Sequence, residues 1–113
     1  MTFRVVLQRL ALRDLDEAYR WASRYAPQTA ARWLDRFQAA LAGLSQNPQR
    51  CPLARENSKV ATELREHLFG RRPNIYRSVF LIQVDTVRVL RILRAQRRPL
   101  TRRQIEESME SDE

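Results

Sequence analysis

Two apolar runs with only two residues between them constrain this chain more than any other feature. Ile75 to Val84 and Val87 to Arg94 flank Asp85-Thr86. Both runs are rich in Val, Ile and Leu, so each reads as a strand. A link this tight makes them an antiparallel hairpin. It lacks the Asn-Gly or Asp-Gly signature, so the turn type stays open. The second run carries an oddity: Arg88, Arg91, Arg94 and Arg97 recur at every third position. A strand repeats every two residues and a helix every 3.6. These arginines therefore cannot share one solvated face, and at least one should line a groove.

The rest of the chain builds around that hairpin. Phe3 to Leu7 reads as a short strand, with Phe3, Val5 and Leu7 alternating. A helix follows, with Leu12, Leu15, Ala18, Tyr19 and Ala22 on one side. Thr29 to Gln46 predicts a second helix, its stripe formed by Ala30, Leu34, Phe37, Leu41 and Leu44. Asn47-Pro48 ends it, because the residue before proline avoids helical backbone. The helices are joined by only about Ala26 to Gln28, so they pack as an antiparallel hairpin. Gln49 to Thr62 reads as a loop and Leu64 to Phe69 as a third strand. Thr101 is placed to cap a short terminal helix, with an acidic end beyond it. The expected fold is α+β, in the order β-α-α-β-β-β. It has an antiparallel sheet with the helix hairpin on one face. The opposite face is expected to be left open, or curved into a concave side where a basic groove forms. Residues 1–100 form the single domain, and 101–113 the short helix and acidic tail.

Charge narrows the function. The chain has 21 Lys and Arg against 13 Asp and Glu, a net charge of +8. The basic side is nearly all arginine, whose planar fork binds phosphate or carboxylate through paired hydrogen bonds. An anionic partner is implied, either nucleic acid or an acidic protein segment. One Cys and one His exclude an internal disulfide and a zinc site of the usual kind. No metal and no cofactor are expected. Cys51 reads as an inert thiol. No apolar run approaches the roughly 20 residues of a membrane span. The start MTFRVVLQRL does not read as a secretory signal, so the cytoplasm is the expected location.

Several stretches then fall into a known pattern. They are Ala11 to Ala22 (ALRDLDEAYRWA), Asn47 to Glu56 (NPQRCPLARE), Leu64 to Phe80 (LREHLFGRRPNIYRSVF) and Val87 to Leu100 (VRVLRILRAQRRPL). In this order and spacing the chain resembles the ParE/RelE superfamily of type II toxins, often described as plasmid stabilisation proteins. The resemblance implies one of two activities on one fold. ParE-like members inhibit DNA gyrase, and RelE-like members cut mRNA on the ribosome. Both are silenced by an antitoxin, which implies a hetero-oligomer.

RNA cleavage needs a base, cationic support for the phosphorane and an acid. By resemblance Arg77 and Arg97 match arginines of the nucleases. The strand Leu64 to Phe69, however, has no lysine, the terminal segment has no tyrosine, and Arg94 stands where many members have histidine. Arginine clamps phosphate well but shuttles protons poorly. If the chain is a nuclease, its set is Arg77, Arg94, Arg97 and His67. Otherwise His67 is a strand-face histidine and Tyr76 a sheet aromatic. The reading adopted is a ParE-like toxin that acts by binding rather than catalysis. A RelE-like endonuclease is the first alternative, and a non-toxic binder of nucleic acid or antitoxin the second. Residues expected to meet the target or antitoxin are Arg71, Arg72, Tyr76, Arg77, Arg91, Arg94, Arg97 and Arg98. Trp33 reads as hairpin packing, and the resemblance implies that an exposed Trp21 contacts a second toxin or antitoxin copy.

Overall fold

The computed structural model describes residues 2–110. Strand β1 (Arg4–Leu7) leads into helix α1 (Arg9–Ser23), which is followed by α2 (Pro27–Ala42). Strands β2 (Arg65–Arg71), β3 (Asn74–Gln83) and β4 (Thr86–Arg94) follow, and α3 (Arg102–Glu110) closes the chain. The sheet order is β1-β4-β3-β2. The pairs β2–β3 and β3–β4 are antiparallel, whereas β1 joins β4 in parallel. The sheet is thus mixed, since the helix hairpin carries the chain back across the sheet before β4 arrives.

The helix hairpin covers one face. Leu15, Phe37, Leu41 and Leu44 meet Phe80, Val87, Val89 and Ile92 there. Helix α1 starts earlier than its apolar pattern suggested, and its buried side is Leu10, Ala11 and Leu15. Leu12, expected in that stripe, lies a further step round the helix and is half exposed at 51%. Helix α2 stops at Ala42, and a 3-10 turn at Gly43–Ser45 carries Leu44 into the core.

The second face is not the open basic surface expected from the sequence. Ala54, Leu64, Leu100 and Ile105 cover Val79, Leu90 and Leu93 to make a second core. Helix α3 is therefore structural. Its start is a reciprocal cap: the Gln104 backbone N–H donates to Thr101 Oγ1 at 3.1 Å, and the Thr101 N–H donates to Gln104 Oε1 at 2.9 Å. The acidic tail beyond Glu110 lies outside the described residues.

Both faces of β4 are buried, which accounts for its arginine spacing. Val79 pairs with Arg91 and Phe80 with Val89, so Leu90 is an extra, bulged residue. The bulge switches parity. Val87 and Val89 before it, and Ile92 after it, face the first core, whereas Leu90 and Leu93 face the second. Every third residue is left half-buried, and each of those is an arginine.

Candidate functional site

A groove runs between the helix hairpin and the ends of β3 and β4. It joins clefts of about 200 and 270 Å³ that share Ala18, Trp21 and Tyr76. Its floor is aromatic: Trp33 sits 5.4 Å from Tyr76 and 5.4 Å from Phe37, ring centre to ring centre. Trp21 is 54% exposed and packs against Tyr25 at 5.3 Å. Arg94 and Arg97 form the basic rim, with Asp14 and Glu17 on the α1 side. Arg94 Nη2 donates to Asn74 Oδ1 at 3.0 Å, and Arg94 is the cross-strand partner of Tyr76.

The neighbouring arginines have other duties. Arg91 grips Asp14 with two hydrogen bonds of 2.6 and 3.0 Å. The same carboxylate accepts from the Ile92 backbone N–H at 2.9 Å. Strand β1 pairs with β4 only as far as Val89, so Asp14 takes over where the ladder partner runs out. Arg88 donates to Gln83 and Gln8.

Arg77 lies furthest from the expectation of a binding residue. It is fully buried on the opposite face of the sheet. Its guanidinium makes hydrogen bonds of 2.9 and 2.5 Å to the two oxygens of Glu56, itself fully buried. A third bond of 3.2 Å reaches Glu66. Glu56 also accepts the Leu100 backbone N–H at 2.7 Å. Burial works to raise the Glu56 pKa, but the bonds from Arg77 and Leu100 outweigh it and hold the carboxyl below its ordinary value. Removal from water works against the Arg77 charge, but the Glu56 and Glu66 carboxylates more than offset this and keep it protonated.

Residues 5–99 match the sequence model described as "ParE toxin of type II toxin-antitoxin system, parDE". The chain belongs to the ParE toxin family. Its fold is similar to a chain of the chromosomal ParDE toxin–antitoxin system from P. aeruginosa. That likeness has a TM-score of 0.68 and 21% identity, over 84% of this chain and 98% of that one. A chain of the toxin–antitoxin complex RelBE2 from Mycobacterium tuberculosis matches at a TM-score of 0.48 and 26% identity, over 83% of this chain and 99% of that one. No curated protein matches the sequence. Among the described residues, no helix of this ParE-family chain is long and apolar enough to cross a membrane.

The remaining expected site residues scatter. Arg71 and Arg72 are exposed at the β2–β3 turn. Arg97 and Arg98 are exposed just after β4 and line a second cleft beside α3. His67 sits on β2 opposite Ser78, half-buried, and among the described residues Nδ1 has no hydrogen-bond partner. Burial, reinforced by the Arg50 charge, pushes its pKa down. The four residues of the nuclease set are therefore not assembled. Arg94 and Arg97 share the groove, Arg77 is on the other face, and His67 lies outside the groove lining. Two acids that the sequence reading overlooked, Glu56 and Glu66, fix Arg77. No local signal singles them out: Glu56 follows Arg55 in a loop and Glu66 follows Arg65, so each reads as half of an adjacent surface pair.

Proposed function

We propose that this ParE-family chain is a growth-arresting toxin that acts by binding, with DNA gyrase as its target. We further propose that a cognate antitoxin silences it in a hetero-oligomer. The observation that carries the reading is the position of Arg77. A nuclease would need that arginine at the phosphate, and here it is held by two carboxylates in a covered core. Family membership supports the same reading, as does the groove. An amphipathic acidic segment would set apolar side chains on Trp33 and Tyr76 and carboxylates against Arg94 and Arg97.

The test is a paired assay on the purified chain: gyrase supercoiling of plasmid DNA, and mRNA cleavage on programmed ribosomes. Lost supercoiling or trapped cleaved plasmid, with mRNA intact, is the expected result. Cut mRNA with normal supercoiling would refute it and make the RelE-like alternative the function. Arg94→Ala and Arg97→Ala should each weaken toxicity or antitoxin binding. If both leave both properties unchanged, the groove is not the site.

A further inference from the structure

A second cationic site lies on the other side of Trp33. Helix α2 presents Arg32, Trp33 and Arg36 on one face, and the end of β2 brings Phe69 and Arg71 against them. Together they line a cleft of about 430 Å³. Gly70 makes the approach possible. It has φ +108°, and a Cβ there would collide with the Asn74 carbonyl oxygen. The turn that aims Arg71 at the cleft therefore requires glycine.

The three arginines are exposed, and among the described residues none has a carboxylate partner. Arg13, Arg20, Arg65, Arg91 and Arg102 do have one; what distinguishes these three is that they converge on one cleft floored by aromatic rings. Arg32 and Arg36 stand four apart on one helix, a spacing at which like charges repel, and Arg71 adds a third. Among the described residues no acid lines the cleft. Its floor is formed by two half-buried rings. Phe69 stacks on Phe37 at 4.6 Å, and Trp33 meets Phe37 edge-on at 5.4 Å.

We propose that this cleft binds a single strand of nucleic acid. Phosphates would lie on Arg32, Arg36 and Arg71, with a base against Trp33 and Phe69. Each nucleotide carries both an anion and a π face, the two features the cleft displays together. A purely acidic peptide would satisfy the arginines but leave the rings bare, and the amphipathic acidic segment drawn for the groove already uses the other side of Trp33. A duplex would offer phosphates but keep its bases stacked away. The site is separate from the gyrase reading and stands whether or not that reading holds.

The full chain is titrated with a twelve-nucleotide oligothymidylate. Trp33 and Trp21 are the only indoles, so Trp21→Phe leaves Trp33 as the sole reporter. Its emission should be quenched on binding. Replacing Arg32, Arg36 and Arg71 together by Ala should weaken binding at least tenfold near about 100 mM salt. It should also flatten the log–log salt slope by roughly 2, at about 0.7 per lost phosphate contact. The control Arg24→Ala/Arg103→Ala, at two exposed arginines outside both the groove and the cleft, should change affinity less than twofold. All five side chains are exposed, and an unchanged melting curve verifies the fold of each variant. Equal losses in triple variant and control would overturn the site, leaving only diffuse charge attraction. Binding without Trp33 quenching would also overturn it. So would a twelve-residue polyglutamate that binds through these arginines while the oligonucleotide does not, which would assign the cleft to an acidic protein.

Discussion

Replacing Glu56 by Gln tests the part of the structure that most changes the functional reading. Wild-type Glu56 holds Arg77 with two bonds and the Leu100 N–H with a third, all out of contact with water. Glutamine keeps the shape but removes the charge, and turns one acceptor into a donor that faces a donor. Removing one partner of a buried ion pair costs about 3–5 kcal/mol. Glu66 remains 3.2 Å from Arg77, so part of the countercharge survives and the low end applies. At roughly 4 °C per kcal/mol for a chain of this size, Tm should fall by about 12 °C. Thermal and urea melts followed by circular dichroism measure this directly. The triple variant Glu56→Gln/Glu66→Gln/Arg77→Met removes all three charges while keeping an acceptor for the Leu100 N–H, and should recover at least half of the loss.

The acid limb of the stability curve provides a second reading of the same group. The folded Glu56 carboxyl has a lowered pKa, while the unfolded value is about 4.3. The unfolded chain therefore takes the proton first. The stabilisation is complete above the unfolded value and is lost as pH falls through the folded one. Glu56→Gln should lie below wild type at neutral pH and show a shallower acid slope. If the variant melts within about 1 °C of wild type with an unchanged acid slope, the reasoning is refuted. Arg77 would then be available for chemistry, which the binding-only reading denies.

Three further outcomes follow from the geometry. His67 has a folded pKa pushed below its ordinary value by burial and by Arg50, so the unfolded chain binds the proton first below about pH 6.5. Stability should fall as pH drops from about 6.5 through the folded value, and His67→Gln should remove that part of the slope in urea melts. Gly70→Ala places a methyl against the Asn74 carbonyl at φ +108° and should cost about 1–3 kcal/mol in the same melts. Cys51 is buried, and burial raises its thiol pKa against the pull of Arg50 and Arg65. Alkylation by iodoacetamide at neutral pH should be at least tenfold slower than for the unfolded chain, and an equal rate would show that the thiol is open to solvent.

The strands and helices were legible because each carries its own periodicity. The hairpin of Ile75–Val84 and Val87–Arg94, the helix ending before Asn47-Pro48, and the Thr101 cap were all local signals. What escaped was set by distant partners. The parallel pairing of β1 with β4 depends on where the helix hairpin returns the chain, and no feature of Phe3 to Leu7 carries that. The second core depends on Ala54, Leu64, Leu100 and Ile105 converging from three segments. Singly they read as loop (Ala54), strand start (Leu64), chain end (Leu100) and terminal helix (Ile105), so the face they cover was read as open. Arg77 was misplaced for the same reason. A strand arginine next to tyrosine looks solvent-bound until Glu56, 21 positions away, is found to meet it.

The arginine ladder of β4 shows how one local defect decides which cations are free to bind. Without the bulge at Leu90, residues 88, 90, 92 and 94 would share a face, and Leu90 and Ile92 would compete with Arg88 and Arg94 for one environment. With the extra residue, apolar side chains fill both cores, and each arginine emerges at a different edge. Arg88 meets Gln83, Arg91 closes the gap left by β1, and Arg94 reaches the groove beside Tyr76. A spacing of three is thus what a two-sided buried strand shows when its register slips once. Only the last rung, with Arg97 beyond it, reaches the groove. Deleting Leu90 should restore strict alternation, drive Arg91 into the core side of the sheet and unfold the chain, whereas Leu90→Val should fold and keep Arg94 in place.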